Sequence, residues 1–175
     1  MKKNWYAVYT KAQSEKRAAL SLNKKRIENF CPLNSVIKGN YGRKKMFNEP
    51  LFPSFVFVNI HESEMANVRQ TSEVMNFVYW LGKPAVIKNA EIENIHQFVT
   101  SYYNIIVEKS IVNPSGLIHI IKDKEDNINN STEDDSQVDV IKVALPSLGY
   151  IMKAESKKTI PDSLKYNFTA SKLFA

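Results

Sequence analysis

The spacing of hydrophobic residues predicts that the first hundred residues form strands and helices in turn. Residues 5–10 combine aromatic and β-branched side chains, which is typical of a β-strand. Residues 15–26 carry Ala18 and Leu22 at helical spacing after Ser14, which has the chemistry of an N-cap, and they predict an amphipathic helix. The further predicted elements are a strand over 27–38 that alternates around Pro32, a basic hairpin over 39–45, an apolar strand over 49–60 kinked near Pro53, a helix over 63–72, a strand over 74–80, a turn over 82–84, a short extension over 85–87 and a helix over 90–99.

This order of elements predicts an α+β fold for residues 1–103. Because two strands follow each other without a helix between them, we expect an antiparallel sheet of four strands with helices packed on it, not a doubly wound parallel sheet. Beyond residue 103 the pattern changes to short β-type runs at 105–107, 117–121, 138–145 and 150–154. Residues 104–175 are therefore predicted to form a second domain, a small β-barrel that carries an acidic loop over 123–137.

Positive charge is concentrated in the first fifty residues. The chain has 175 residues and a net charge of +6, and 12 of its 24 Lys and Arg residues precede residue 51, beside only 3 acidic residues. The rest of the chain is slightly acidic. Solvated surface lysines explain a modest excess, but a basic helix and hairpin can also neutralise the phosphates of a nucleic acid.

The sequence contains no motif typical of an enzyme or a metal site. It lacks the hydrolase nucleophile elbow, the P-loop, the zinc-protease helix and the dinucleotide-binding glycines, and His61, His96 and His119 fall in three different elements. The lone Cys31 cannot form an intramolecular disulfide and fits a reducing compartment. Because these motifs are missing, we expect a protein that is not an enzyme and needs neither cofactor nor metal. Because no apolar run approaches the roughly 20 residues of a membrane span, we also expect it to be cytoplasmic and without a membrane partner.

The apolar strand over 49–60 carries the most prominent group of aromatic residues. In a regular strand Phe55 and Phe57 point to one face, whereas Phe52, Val56 and Val58 point to the other. Either both faces are buried, one beneath helices and one beneath the hairpin, or an aromatic face is exposed and binds a partner. Such a face suits a protein surface or the bases of an RNA.

Several segments resemble the NusG family of transcription elongation and antitermination factors. They lie at residues 5–11, 15–16, 49–58 with its Pro-Leu-Phe-Pro core, 77–78 and 82–87. Residues 141–150 resemble the later strands of the family's C-terminal KOW barrel, in the form seen in the specialised UpxY-type, RfaH-like antiterminators of Bacteroides-like bacteria. The resemblance implies an N-terminal NusG domain, an antiparallel sheet with packed helices, followed by a KOW barrel.

The resemblance also implies how the chain acts. It implies an antitermination factor that binds the coiled-coil clamp helices of the RNA polymerase β′ subunit, holds the non-template DNA strand and suppresses pausing, most characteristically at operons for surface polysaccharides. The implied polymerase-binding residues are Phe52, Phe55 and Phe57. The residues expected to bind non-template DNA or nascent RNA are Lys11, Arg17 and Lys24, together with Arg43, Lys44 and Lys45 of the hairpin. The alternatives are a general NusG-like pausing or termination factor and a stand-alone RNA-binding or ribosome-associated module.

The C-terminal half departs from the family pattern in its first strands. Either residues 105–110 form the first barrel strand and 117–122 the second, or 117–121 form the first strand and the acidic loop replaces the second. The resemblance implies a ribosomal protein or the Rho termination factor as the partner of this domain, with Leu148 as its contact. Arg26 occupies a position at which many relatives have a helix-ending glycine, so the first helix is expected to end differently.

Overall fold

A computed structural model describes residues 2–39, 45–112, 118–120 and 140–156 of the chain. The helices and strands of the first part are β1 (Asn4–Thr10), α1 (Glu15–Lys24), β2 (Glu28–Phe30), β3 (Leu33–Lys38), β4 (Lys45–Pro50), β5 (Phe55–Ile60), a 3-10 turn (Glu62–Glu64), α2 (Met65–Arg69), β6 (Val74–Phe77), β7 (Tyr79–Trp80), β8 (Lys83–Pro84), β9 (Val86–Ile87) and α3 (Asn89–Ser101). The second part contains β10 (Ile106–Val112), β11 (Ile118–Ile120), β12 (Val140–Leu145) and β13 (Tyr150–Glu155). None of the described helices is long and apolar enough to cross a membrane.

The main sheet is antiparallel, as the sequence predicts. Its strands lie in the order β2-β5-β1-β6, and β9 also pairs with β1, so that the sheet has five strands and not four. β1 and β5 run side by side with Tyr6 opposite Val58 and Ala7 opposite Phe57. β1 and β5 therefore form the centre of the sheet, and residues on both faces of these two strands are buried.

Helices α1 and α2 cover one face of this sheet. Tyr6 and Val8 of β1 and Val56 and Val58 of β5 point to this face and pack with the apolar stripe of α1. Ala18 and Leu22 of that stripe are fully buried, which confirms the amphipathic helix predicted for this segment.

Helix α3 and the C-terminal strands cover the opposite face. Phe57 of β5 is buried there with Ile95 and Phe98 of α3 and with Leu145 and Met152 of the second part. Both faces of the sheet are thus covered, as in the first of the two alternatives. The second cover consists of α3 and the C-terminal strands and not of the hairpin.

Three predicted strands are each divided in the structure. The strand predicted over 27–38 breaks at Pro32, and its halves join different sheets: β2 pairs with β5, whereas β3 pairs with β4. The strand predicted over 49–60 is interrupted by a turn at residues 51–54, where Ser54 has a φ of 61°. Because Pro53 cannot donate a backbone hydrogen bond, a continuous ladder through this point is unfavourable.

The prediction that Phe52 points to the same face as Val56 and Val58 is wrong, because the turn at residues 51–54 interrupts the strand. The turn changes the alternation, and Phe52 lies in the cluster that contains Phe57. The strand predicted over 74–80 is also divided, into β6 and β7. The turn predicted at 82–84 lies at residues 81–82, and Lys83 and Pro84 belong to β8.

Helix α1 ends with the backbone geometry that is typical of a glycine at this position, although residue 26 is arginine. The expectation that Arg26 makes the helix end differently is therefore wrong. Arg26 has a φ of 58°, the left-handed conformation that glycine adopts most readily. The backbone N–H of Ile27 donates to the carbonyl of Leu22, which satisfies one of the last carbonyls of the helix. At the other end Ser14 occupies the N-cap position, but its side chain makes no capping hydrogen bond.

The C-terminal strands form a separate antiparallel sheet. Its order is β11-β10-β13-β12, with β10 paired to β11 and to β13. This pairing agrees with the first of the two registers, in which the run near residue 106 is the first strand and the run near 118 is the second. Closure of these strands into a KOW barrel and the domain boundary at residue 103 stay predictions, and the predicted acidic loop over 123–137 lies outside the described residues.

Candidate functional site

The three phenylalanines singled out by the sequence lie together on one face of the sheet. Phe52 packs edge-on against Phe57 with ring centroids 5.7 Å apart, and both side chains are buried. Phe55 is half-buried at the border of the same cluster and contacts Tyr9 at a centroid distance of 4.8 Å. These three rings therefore form one continuous aromatic face.

A buried carboxylate fixes the turn that brings Phe52 onto this face. Glu15, at the start of α1, accepts a hydrogen bond of 2.6 Å from the backbone N–H of Ser54. The carbonyl of Ser54 accepts a second bond, of 2.9 Å, from the N–H of Thr10. Helical periodicity does not reveal this tertiary role of Glu15, because Ser54 lies 39 positions later in the chain.

The turn between β12 and β13 covers the aromatic face. Tyr150 lies 5.7 Å from Phe52 between ring centroids, and Leu148 packs partly buried against the same cluster. The predicted polymerase-binding rings and the predicted contact of the C-terminal domain thus meet at one internal interface. Each covers the other in this structure.

Two polar attachments hold the C-terminal strands in this position. Glu91 of α3 accepts hydrogen bonds from the backbone N–H and the hydroxyl of Ser147, at 3.1 and 3.0 Å. At the other end Asn34 donates to the carbonyl of Ile105 and accepts from its N–H, at 2.8 and 3.0 Å. The second Glu91 oxygen is buried without a hydrogen-bond partner.

Three of the predicted nucleic-acid-binding residues lie on α1 or in the loop before it, on the side of the sheet that α1 covers. Lys11, Arg17 and Lys24 are exposed, and Arg17 lies 3.8 Å from Glu73, whose backbone carbonyl accepts from Lys11. A hydrogen bond from Ser72 lowers the pKa of Glu73, with a smaller contribution from Arg17, so this carboxylate offsets part of the local positive charge. On the hairpin Lys45 is exposed, whereas Arg43 and Lys44 lie outside the described residues.

An open groove borders the aromatic face, and hydrophobic periodicity does not predict it. Its cavity volume is about 640 Å³. One wall is the hairpin of β7 and β8, and the other is the turn between β12 and β13. The principal lining residues are Tyr9, Phe55, Val78, Trp80, Leu148 and Tyr150. The only sequence signal was Trp80 and Leu81 just before a glycine, where turn residues are usually polar.

The described residues give no indication of a metal site. No group of three His, Cys, Asp or Glu side chains within the described ranges could hold a metal ion. His96, for example, packs against the ring of Phe30 at 5.9 Å between centroids.

Comparison with known protein families decides the assignment of the N-terminal part. Residues 3–96 match the family described as "Transcription termination factor nusG", which is more than half of the chain. The chain belongs to the NusG family. Members of this family are transcription factors that act in elongation and termination, not enzymes. The NusG match contains β1 to β9 and most of α3, and it ends before β10.

Among solved structures, the chain is similar to one described as "Domain interaction in Thermotoga maritima NusG". The two share 23% sequence identity, the alignment covers 89% of this chain and 93% of that chain, and the TM-score is 0.46.

Proposed function

We propose that this NusG family chain is a transcription antitermination factor that binds the β′ clamp helices of RNA polymerase through its aromatic face. The observation that carries this proposal is the convergence of Phe52, Phe55 and Phe57 within the family-matching part of the chain. Clustered aromatic side chains supply most of the binding energy in many protein interfaces. A coiled coil presents the apolar and amphipathic surface that such a face accepts.

The basic side of α1 supplies a second, weaker contact, with the non-template DNA strand. Lys11, Arg17 and Lys24 are exposed and carry positive charge that can neutralise phosphates. Together the two contacts hold polymerase in a form that resists pausing. A nascent RNA would satisfy the same charges.

Binding through this face requires the C-terminal strands to move away. Because Phe52 is only 4% exposed and packs against Tyr150, polymerase can reach this ring only in an open form of the chain. The apparent affinity is then the intrinsic affinity multiplied by the fraction of open molecules. A covered face favours a factor that acts conditionally, as at surface polysaccharide operons, over one that acts on every transcript. In the open form Leu148 becomes available to a ribosomal protein or to Rho.

The experiment that tests polymerase binding is a pull-down of RNA polymerase by the purified chain and its Phe55→Ala variant. Phe55 is the half-buried ring of the three, so its truncation leaves the core of the sheet in place. We expect retention of polymerase to fall at least tenfold. Phe47→Ala is the matched control, since Phe47 is 45% exposed in β4 and does not belong to the buried cluster around the three rings. Undiminished retention by Phe55→Ala contradicts the assignment.

A salt titration tests the nucleic-acid contact. We expect weak binding of single-stranded DNA to the free chain, which decreases steeply with salt and loses about one unit of slope for each of Lys11, Arg17 and Lys24 replaced by alanine. Tight binding of free RNA that depends on Phe55 instead favours the RNA-binding module.

Transcription in vitro separates the specialised factor from a general one. On templates with and without the leader of a polysaccharide operon, a specialised factor reduces pausing only on the first. Equal effects on both templates favour a general elongation or termination factor.

A further inference from the structure

The segment between helix α3 and strand β10 is hydrogen-bonded to the hairpin of β3 and β4. Asn34 of β3 donates to the carbonyl of Ile105 at 2.8 Å and accepts from its N–H at 3.0 Å. One side-chain amide thus satisfies both backbone groups of a single residue, as a neighbouring strand does in an antiparallel ladder. Because Ile105 is only 5% exposed, its backbone groups need such partners within the protein.

Asn104 extends this attachment along the same strand. Its backbone N–H donates to the carbonyl of Ser35 at 2.7 Å, and its side-chain oxygen accepts from the N–H of Ile37 at 2.9 Å. Ser35 and Ile37 are two positions apart in β3, so their backbone groups point to the same edge of that strand. Residues 104–105 therefore bind along one edge of β3, as a very short third strand would.

The backbone of Asn104 is bent at this attachment. Asn104 has a φ of 52°, in the left-handed region that asparagine and glycine enter more readily than other residues. Backbone in this region persists where the surrounding contacts hold it. Residues 104–105 thus form an ordered junction, in contrast to the free linker that commonly separates two domains.

The junction leads directly into the C-terminal sheet. Ile106, the residue after Ile105, is already paired with Lys153 of β13. The part of the chain that is tied to β3 and the part that is tied to the C-terminal sheet therefore meet at one peptide bond. A junction of this kind leaves a few backbone torsions about which the two parts can turn.

The second attachment of the C-terminal strands is the weaker of the two. Among the described residues, four hydrogen bonds join residues 104–105 to β3, whereas Ser147 is held by two bonds to one oxygen of Glu91. The other oxygen of Glu91 is buried without a partner, which offsets part of the gain from those bonds. Ser147 should therefore detach more often than Ile105.

We infer that residues 104–105 are the fixed end of a hinge. They stay attached to β3 when the turn at Ser147 detaches from Glu91, and the chain turns between Ile105 and Ile106. The C-terminal strands then swing about the base of the hairpin and remain close to the sheet that they cover. This inference goes beyond the proposed function, because it concerns how the chain moves and not what it binds.

Amide hydrogen exchange, followed for individual residues in NMR spectra of the full chain, compares the two attachments. Each amide reports the opening that exposes it to solvent. We expect the amides of Asn104 and Ile105 to be protected at least threefold more than that of Ser147. In Glu91→Ala, exchange at Ser147 should rise while exchange at the other two amides changes less than twofold. Equal protection of the three amides, or their joint acceleration in Glu91→Ala, overturns the hinge.

Variants of the junction test whether it restrains the C-terminal strands. Asn34→Ala removes both bonds to Ile105, and Asn104→Gly removes the acceptor of one β3 N–H while glycine still adopts the φ of 52°. A freed junction lowers the effective concentration of the C-terminal strands at the aromatic face. We expect exchange at Ser147 to rise at least threefold in each variant. Asn94→Ala is the matched control, because Asn94 is exposed on α3, and it should leave this rate unchanged.

The outcomes separate the hinge from the proposed function. If Asn34→Ala accelerates exchange at Ile105 but not at Ser147, the junction does not restrain the C-terminal strands and the inference is wrong. If Asn34→Ala fails to fold, the unmodified chain and Asn104→Gly still decide. Because none of these measurements uses polymerase, a failed pull-down contradicts the proposed function alone, and equal protection of the amides contradicts the hinge alone.

Discussion

Removal of the Glu91 side chain should release the turn that covers the aromatic face. One Glu91 oxygen accepts two hydrogen bonds from Ser147, and each bond to a charged acceptor contributes about 1.5–3 kcal/mol. The other oxygen is buried without a partner, which costs about 1–3 kcal/mol. Two such bonds less one unpaired oxygen leave a net contribution of about 0–5 kcal/mol to the closed form. The middle of this range, about 1–3 kcal/mol, is equivalent to a factor of roughly 5–150 in the ratio of closed to open molecules.

Hydrogen exchange followed by mass spectrometry measures this release directly. In Glu91→Ala we expect the peptide over residues 145–150 to exchange about 5–150 times faster, because the N–H of Ser147 loses its acceptor. Glu91→Gln keeps one acceptor oxygen and places an amide donor at the unpaired position, so its effect should be smaller. Glu93→Ala is the matched control, because Glu93 is exposed on the same helix.

The same variant links the closed form to polymerase binding. If opening limits binding, the affinity for polymerase should rise by about the same factor as the exchange rate. Unchanged exchange at residues 145–150 in a Glu91→Ala chain with helix α3 intact would refute the reasoning about this attachment. Faster exchange without any gain in affinity would show that opening does not limit binding.

Three further predictions concern stability and reactivity. Arg26→Gly should raise the free energy of unfolding by about 0.5–1 kcal/mol in denaturant titrations, because glycine adopts the φ of 58° without strain; a lower midpoint would contradict this. Phe57→Ala should lower the free energy of unfolding by about 3–5 kcal/mol because the ring is fully buried, whereas Phe55→Ala should cost less than half as much in the same titration. Burial raises the pKa of the Cys31 thiol to about 12. At pH 8 the native thiol should therefore resist iodoacetamide and react only on unfolding. Rapid alkylation of the native chain would show that Cys31 is accessible to solvent. Because the pKa is raised in the folded state, the stability that this thiol contributes should be complete below a pH of about 8.5 and decrease as the pH rises toward 12, a dependence that Cys31→Ala should lack.

Local periodicity explains what the sequence could predict of this fold. The strand near Tyr6, the helix with Ala18 and Leu22 and the helix near Ile95 each repeat hydrophobic residues at their own spacing. Consecutive strands then implied the antiparallel sheet. These features depend on neighbours within one element, and so they are visible without tertiary information.

The candidate site depends on contacts between distant residues, which periodicity does not record. Phe52 reaches the face of Phe57 because Glu15, 39 positions before Ser54, holds the intervening turn. The C-terminal strands reach that face because Glu91 meets Ser147, 56 positions later. The resemblance to a family identified the aromatic residues, but neither it nor the pattern showed that they are covered.

The distribution of charge separates the two contacts of the proposed factor. The described residues that line the groove are uncharged, whereas Lys11, Arg17 and Lys24 lie on the side of the sheet that α1 covers. Added salt weakens phosphate contacts strongly but leaves apolar burial almost unchanged. At high salt the chain should therefore still bind polymerase while its hold on DNA is lost. Because the apolar contact with polymerase does not depend on DNA sequence, the proposed factor should stay bound to polymerase when the DNA sequence at the transcription bubble changes.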